Sequence, residues 1–289
     1  MDGVTRIESA LADAVLLADA VGAPPRLAAA MRHAVFPRGA RVRPRLVLAV
    51  AASCGDDRPA LSGAAAAAVE LLHCASLVHD DMPCFDDAET RRGRPSVHRA
   101  FGEPLALLAG DALIVLAFQA LARAATTAPE RLPAVMMAVG DGVGVPFGIV
   151  AGQAWECEPR ADLSEYQRQK TGALFAAAAM AGAAAAGREA EPWRALGEQL
   201  GEAYQVADDL RDAVSDEAEI GKPVGRDAAL GRPSAVRSFG VEGAVARLRD
   251  LTAGAVAAIP CCPGQEALGA LILGEMQRLL PRKLAQKAA

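Results

Sequence analysis

Residues 60–86 read ALSGAAAAAVELLHCASLVHDDMPCFD. Alanine, leucine and valine dominate from Ala60 to Val78, and alanine and leucine are among the strongest helix formers. The run predicts a helix over 60–81. Pro83 cannot donate a backbone hydrogen bond, so Asp80 is placed at the end of that helix and Asp86 in the loop that follows. An apolar, Ala-rich helix that delivers carboxylates at its end is the unit from which the rest of the chain is read.

The unit has an echo. Val78-His79-Asp80-Asp81-Met82 is matched by Val206-Ala207-Asp208-Asp209-Leu210, again at the end of a long helical pattern. Two such helices facing one another would frame one cavity. Further helices are expected near 5–21, 25–36, 42–53, 104–126, 130–151, 162–186, 192–213, 234–239, 242–258 and 264–278, and no alternation of apolar and polar residues is long enough to argue for a strand. Hydrophobic residues make up 52% of the 289 residues and aromatics only 4%. The expected fold is therefore all-α, a body of closely packed helices, with residues 1–289 as one domain.

Charge and cysteine usage exclude several classes. The net charge is -5, and the 30 Lys and Arg are not gathered into one block, so no basic field draws nucleic acid. Cys54, Cys74, Cys84, Cys157, Cys261 and Cys262 show no CxxC spacing and read as reduced thiols of a cytoplasmic protein. The acidic start, Met1-Asp2-Gly3, is not that of an export signal. The most apolar stretch, Gly172 to Gly187, is shorter than the roughly 20 residues a membrane span needs, and reads as a buried core helix.

The chemistry resides in the acidic clusters. Crowded carboxylates repel, and a cation relieves that repulsion more cheaply than protonation does. Magnesium suits an all-oxygen donor set and commonly bridges to phosphate. Asp208 and Asp212 are four apart and stack on one helix face, with Gln205 one turn earlier. Short basic loops accompany the carboxylates: Arg91-Arg92-Gly93-Arg94-Pro95 just past the first cluster, and Arg38-Gly39-Ala40-Arg41-Val42-Arg43-Pro44-Arg45 upstream. Guanidinium forks in such loops match diphosphate oxygens. Lys170-Thr171 and Lys222, the latter in a Gly- and Pro-bearing loop, extend the cationic set. His73 lies two turns before Asp80, on the face leading to it.

In order along the chain, Arg38 to Pro44, His73, Asp80 through His98 (DDMPCFDDAETRRGRPSVH), Gln153, Lys170-Thr171-Gly172, Tyr204 to Asp212 (YQVADDLRD) and Gly221-Lys222 resemble the trans-polyprenyl diphosphate synthase family, and most closely the bacterial geranylgeranyl diphosphate synthases of carotenoid and photosynthetic pigment pathways. The resemblance implies the isoprenoid synthase fold, a single-domain bundle of long antiparallel helices around a deep central cavity, together with a homodimer and condensation of an allylic diphosphate with isopentenyl diphosphate. It implies magnesium on Asp80, Asp86, Asp208 and Asp212, supported by Asp81 and Asp209. Arg91, Lys170, Thr171, Gln205 and Lys222 would hold the allylic diphosphate. Arg43, His73 and Arg92, with help from Arg41, would hold isopentenyl diphosphate. Asp80, Asp86, Asp208, Lys170 and Lys222 would carry catalysis by stabilising the departing diphosphate, so no protein nucleophile is required.

One departure is plain: the family's usual lysine before the Arg-Pro pair is Ala40 here. Chain length is expected to follow from Ala75 and Ser76, small residues beneath Asp80 that favour a twenty-carbon product, with Leu72 or Phe118 as a deeper floor. A farnesyl diphosphate synthase, a non-catalytic subunit of a synthase and a terpene cyclase are the rival readings. The intact clusters speak against the subunit, and the scarcity of aromatics against the cyclase.

Overall fold

Helical spacing of small apolar residues becomes a helical bundle. The computed structural model describes residues 2–36, 39–158, 171–214 and 234–279, which contain twelve α-helices. They are α1 (Gly3–Val15), α2 (Pro25–Val35), α3 (Val42–Ser53), α4 (Pro59–Asp80), α5 (Val97–Phe101), α6 (Glu103–Ala124), α7 (Leu132–Val143), α8 (Ile149–Ala154), α9 (Ala173–Ala185), α10 (Arg194–Val214), α11 (Ala235–Ala257) and α12 (Gln265–Leu279).

Helix α4 is the central rod, in contact with α1, α2, α3, α6, α7, α8 and α9. Its alanines 65 through 68 are fully buried, so neighbouring helices approach its backbone closely. The same holds for α9, where every residue from Leu174 to Ala185 is buried. Glycines complete this close packing: a Cβ on Gly182 of α9 would lie 2.5 Å from the Val47 carbonyl oxygen of α3, and one on Gly197 of α10 would lie 2.4 Å from the Ala176 Cα of α9.

Most expected helices appear where the spacing put them, with instructive exceptions. The expected helix 5–21 gives way to a 3-10 turn at Leu16–Asp19. The expected helix 130–151 is two helices, α7 and α8, because Gly144 and Pro146 interrupt the ladder between Val143 and Ile149. Conversely 234–239 and 242–258 join as α11, bent at Gly240, whose φ of 68° lies outside the helical region. Residues 162–170 of another expected helix lie outside the described residues.

Strand does occur, in a minimal form: Thr90–Arg91 and Arg94–Pro95 pair antiparallel around Arg92-Gly93. Both turn residues have positive φ, 53° and 74°, which is the geometry of the tightest hairpin connection. Two described helices, α4 and the stretch Glu103–Thr127 containing α6, are long and apolar enough to cross a membrane; 83% of the former's most apolar window is buried in the bundle, against 39% for the latter's.

Candidate active site

The first acidic cluster is built by the end of α4 and a loop that folds back on it. The amide of Asp86 donates to the carbonyl of Asp80 at 3.0 Å, and that of Ala88 to the carbonyl of Asp81 at 3.1 Å. Asp86 is thus returned to the helix end it left six residues earlier. Gln153 of α8 reaches across to the same spot, its Nε2 donating to Asp80 Oδ1 and to the Ser76 carbonyl, both at 3.3 Å.

The two adjacent carboxylates of this cluster face different partners. Asp81 is buried and ion-paired with Arg91, whose Nε donates to its two oxygens at 3.0 and 3.2 Å and whose Nη2 makes a closer contact. Burial raises the Asp81 carboxyl above its ordinary value against the pull of Arg91. On Arg91, burial works against the charge, but the bond to Asp81 and the field of Asp80 and Asp86 win and hold it firmly protonated. The hairpin carrying Arg91 is pinned at its far side to α2 and the residue after it, by His33 Nε2 against the Pro95 carbonyl at 2.7 Å and by Arg94 donating to the Phe36 carbonyl at 3.0 Å.

The second cluster repeats that division. Asp209 is buried and its Oδ2 accepts from the amide of Ala235, the first residue of α11, at 2.7 Å. Gln205 donates to Asp209 Oδ1 at 3.1 Å and accepts from the Thr171 hydroxyl at 3.3 Å, so Thr171, Gln205 and Asp209 form one chain of hydrogen bonds. Asp208, by contrast, is half exposed and paired with Arg211 on its own helix.

Arg43 of α3 stands among α4, α9 and α10. Its guanidinium lies 4.6 Å over the Phe175 ring and 6.0 Å from that of Tyr204, and its Nη1 is 3.5 Å from His73 Nε2. Its Nε is buried with no hydrogen-bond partner. Burial pulls the Arg43 pKa down, while Tyr204, Glu70 and Asp208 pull it back. Burial, with Arg43, Arg92 and Arg91 around it, also pushes His73 well below its ordinary value, so its ring is neutral near pH 7. An arginine with an unsatisfied buried N–H beside a neutral imidazole is a half-built anion site.

Arg41 has a different setting. It is buried, and donates from Nε to Glu8 of α1 at 3.0 Å, from Nη1 to Glu70 of α4 at 2.5 Å and from Nη2 to the Val35 carbonyl at 2.9 Å. Ala40 beside it is exposed. Glu70 was missed in reading the sequence; its signal was a lone carboxylate in an otherwise apolar stretch of α4, between Val69 and Leu71.

Lys170, Lys222 and Arg38 lie outside the described residues. Asp80, Asp86, Asp208, Asp212, Arg43, His73, Arg91, Arg92, Thr171 and Gln205 lie within them. Ala75 and Leu72 are both 1% exposed on α4, and Phe118 of α6 packs on the core at intermediate exposure. Among the described residues no three of His, Cys, Asp and Glu gather closely enough to hold a metal unaided. Carboxylates delivered by separate helix ends do fit magnesium, which keeps several water or phosphate ligands and demands few from protein.

A Polyprenyl synthetase family profile matches residues 24–254. The chain belongs to that family. A protein of Cereibacter sphaeroides named geranylgeranyl diphosphate synthase is 56% identical over 282 residues, covering 98% of both chains. One of the same name from Rhodobacter capsulatus is 53% identical over 268 residues, covering 92% of each. Among solved structures, a geranyltransferase from Helicobacter pylori, complexed with magnesium and isoprenyl diphosphate, superposes with a TM-score of 0.75 at 28% identity, over 88% of this chain and 89% of that one. The family membership and the all-α isoprenoid synthase fold expected from the sequence are borne out.

Proposed function

We propose that this protein is a trans-prenyl transferase that condenses isopentenyl diphosphate with an allylic diphosphate to make geranylgeranyl diphosphate, working as one domain. The observation that carries this reading is Arg43, with its buried unpartnered Nε against neutral His73 of α4, the helix that ends at Asp80. The relatives named geranylgeranyl diphosphate synthase, alike over nearly the full length, support the product.

Arg43, His73 and Arg92 bind isopentenyl diphosphate in this reading, with Arg41 acting through its ion pairs rather than on the ligand. Arg91, Thr171 and Gln205, together with Lys170 and Lys222, bind the allylic diphosphate. Asp80, Asp86, Asp208 and Asp212 would hold magnesium, which supplies positive charge to the departing diphosphate. The side chains then have a limited task. The cationic set holds the diphosphate as its bond to the allylic carbon breaks, and the isopentenyl double bond attacks the resulting cation. The departing diphosphate takes the proton lost from the new chain. Ala75 and Ser76, small residues beneath Asp80, would leave room for a twenty-carbon chain, with Leu72 or Phe118 as the deeper floor.

We assign the protein to the cytoplasm and to carotenoid and photosynthetic pigment supply, as a homodimer. The apolar face of α6, where Leu107, Leu108 and Val115 are 48%, 51% and 56% exposed, supports the homodimer. Light scattering in solution tests it. The activity is tested by incubating labelled isopentenyl diphosphate with dimethylallyl, geranyl or farnesyl diphosphate, with and without chelator, and separating the products. Metal-dependent geranylgeranyl diphosphate is expected; accumulation of farnesyl diphosphate or activity in the presence of chelator would count against the reading.

A further inference from the structure

Two arginines near the isopentenyl pocket adopt backbone conformations that residues with a side chain seldom take. Arg41, at the start of α3, has φ 51° and ψ 34°. Arg92, in the hairpin turn, has φ 53°. A left-handed residue that is neither glycine nor asparagine persists where surrounding contacts fix it. The two positions are fifty-one residues apart by number, yet both side chains converge on one carboxylate. Arg41 Nη1 lies 2.5 Å and Arg92 Nη2 3.8 Å from the same oxygen, Oε1 of Glu70.

Glu70 is 2% exposed. It sits three residues before His73 on α4, hence on the same helix face. Arg41 begins the helix that carries Arg43 two residues later, and Arg92 follows Arg91 in the hairpin. The basic loops that would embrace isopentenyl diphosphate thus meet behind the pocket, on Glu70.

We propose that Glu70 is the positioning residue of the isopentenyl diphosphate pocket, holding the loop of Arg41 and Arg43 and the hairpin of Arg92 in register with His73. This rests on the assignment of Arg43, His73 and Arg92 to that substrate. Glu70 touches no substrate itself. A purely electrostatic role predicts the opposite result on mutation: three arginines, Arg41, Arg43 and Arg92, face two carboxylates, Glu8 and Glu70, so neutralising Glu70 would leave more positive charge for a diphosphate. A purely structural role would not distinguish the two substrates, and a buried ion pair is in general replaceable by apolar residues without loss of stability.

The test is steady-state kinetics of the full-length Glu70→Gln variant with each substrate varied in turn. The expected result is a rise of about tenfold or more in KM for isopentenyl diphosphate with KM for the allylic diphosphate within about twofold of wild type. Glu70→Asp, which keeps the charge on a shorter arm, should fall between the two. Glu8→Gln, which removes a carboxylate that Arg41 also uses, should leave both KM values near wild type. Should Glu70→Gln not accumulate in folded form, the Arg41→Met/Glu70→Gln double variant removes the buried pair as a whole, and the same selective rise in KM is expected of it. Equal rises in both KM values, a fall in kcat alone, or tighter use of isopentenyl diphosphate would overturn the proposal. A wild-type protein that does not consume isopentenyl diphosphate would remove the functional assignment first, and this inference with it.

Discussion

Asp209 Oδ2 accepts a hydrogen bond from the backbone amide of Ala235 at 2.7 Å, so the second aspartate of the second cluster holds down the first turn of α11. Its neighbour Asp208 does not share that task. Removing Asp209 should therefore affect the fold, and removing Asp208 the chemistry. Asp209→Ala is expected to lower stability by about 1–2 kcal/mol, the usual range for a lost helix cap. Asp208→Ala should shift the melting temperature little and reduce kcat by about a hundredfold or more, as loss of a charge-stabilising group does. Thermal melts and turnover measured on both variants check the division; equal melting shifts would contradict it.

Asp81 is the counterpart in the first cluster. Asp81→Asn leaves Arg91 without its charged partner while keeping the side-chain volume. Breaking a largely buried pair from one side is expected to destabilise by about 2 kcal/mol, below the figure for fully buried pairs because Arg91 is 30% exposed. KM for the allylic diphosphate should rise as Arg91 loses its anchor. Denaturant unfolding and substrate titration measure the two effects separately.

His73 gives a pH signature. Its folded-state pKa is pushed well below the ordinary 6.5 by burial and then by Arg43, Arg92, Arg91 and Arg41. As pH falls through 6.5, the unfolded chain takes up a proton that the folded chain refuses. Stability should therefore decline with falling pH in the window from 6.5 down to the depressed folded value, by at most about 1.4 kcal/mol per pH unit from this one group. Above that window its contribution is flat. Unfolding curves of wild type and His73→Gln across the window should diverge, with the shallower slope in the variant.

Gly197 tests the close approach of α10 to α9. A methyl group there would lie 2.5 Å from the Phe175 carbonyl oxygen as well as 2.4 Å from the Ala176 Cα. Since both are backbone atoms, the helices must separate, and Gly197→Ala is expected to destabilise by about 1–3 kcal/mol even though alanine favours helix. A raised melting temperature would show the packing to be looser than this.

Ala75 sits 1% exposed on α4, five residues before Asp80. Ala75→Phe should shift the product towards a shorter chain by filling the pocket beneath the first cluster. Product chromatography decides, and unchanged length would remove Ala75 from the pocket wall.

The helical class was legible because alanine, leucine and valine at helical spacing have few other ways to bury themselves, and α4, α6 and α10 begin and end close to the expected positions. The break between α7 and α8 was written in Gly144 and Pro146 but lost in a continuous apolar pattern. The hairpin at Arg92-Gly93 was harder to see. It has the positive φ values of a tight turn without the usual asparagine or aspartate, and strands of two residues are too short for any alternation to register.

By itself the sequence determined that two long helices carry paired carboxylates towards their C-terminal ends, that arginines lie in short loops near the first pair and that small residues precede Asp80 on its helix. Only the tertiary structure decided which partner each member of a pair meets. Successive residues on a helix point about 100° apart, so Asp208 and Asp209 meet different surroundings. The partner that fixes Asp209 is the amide of Ala235, twenty-six residues on, and the one that joins Arg41 to Arg92 is Glu70. Spacing along the chain fixes which face a side chain occupies. Which distant group waits opposite that face depends on how the helices pack.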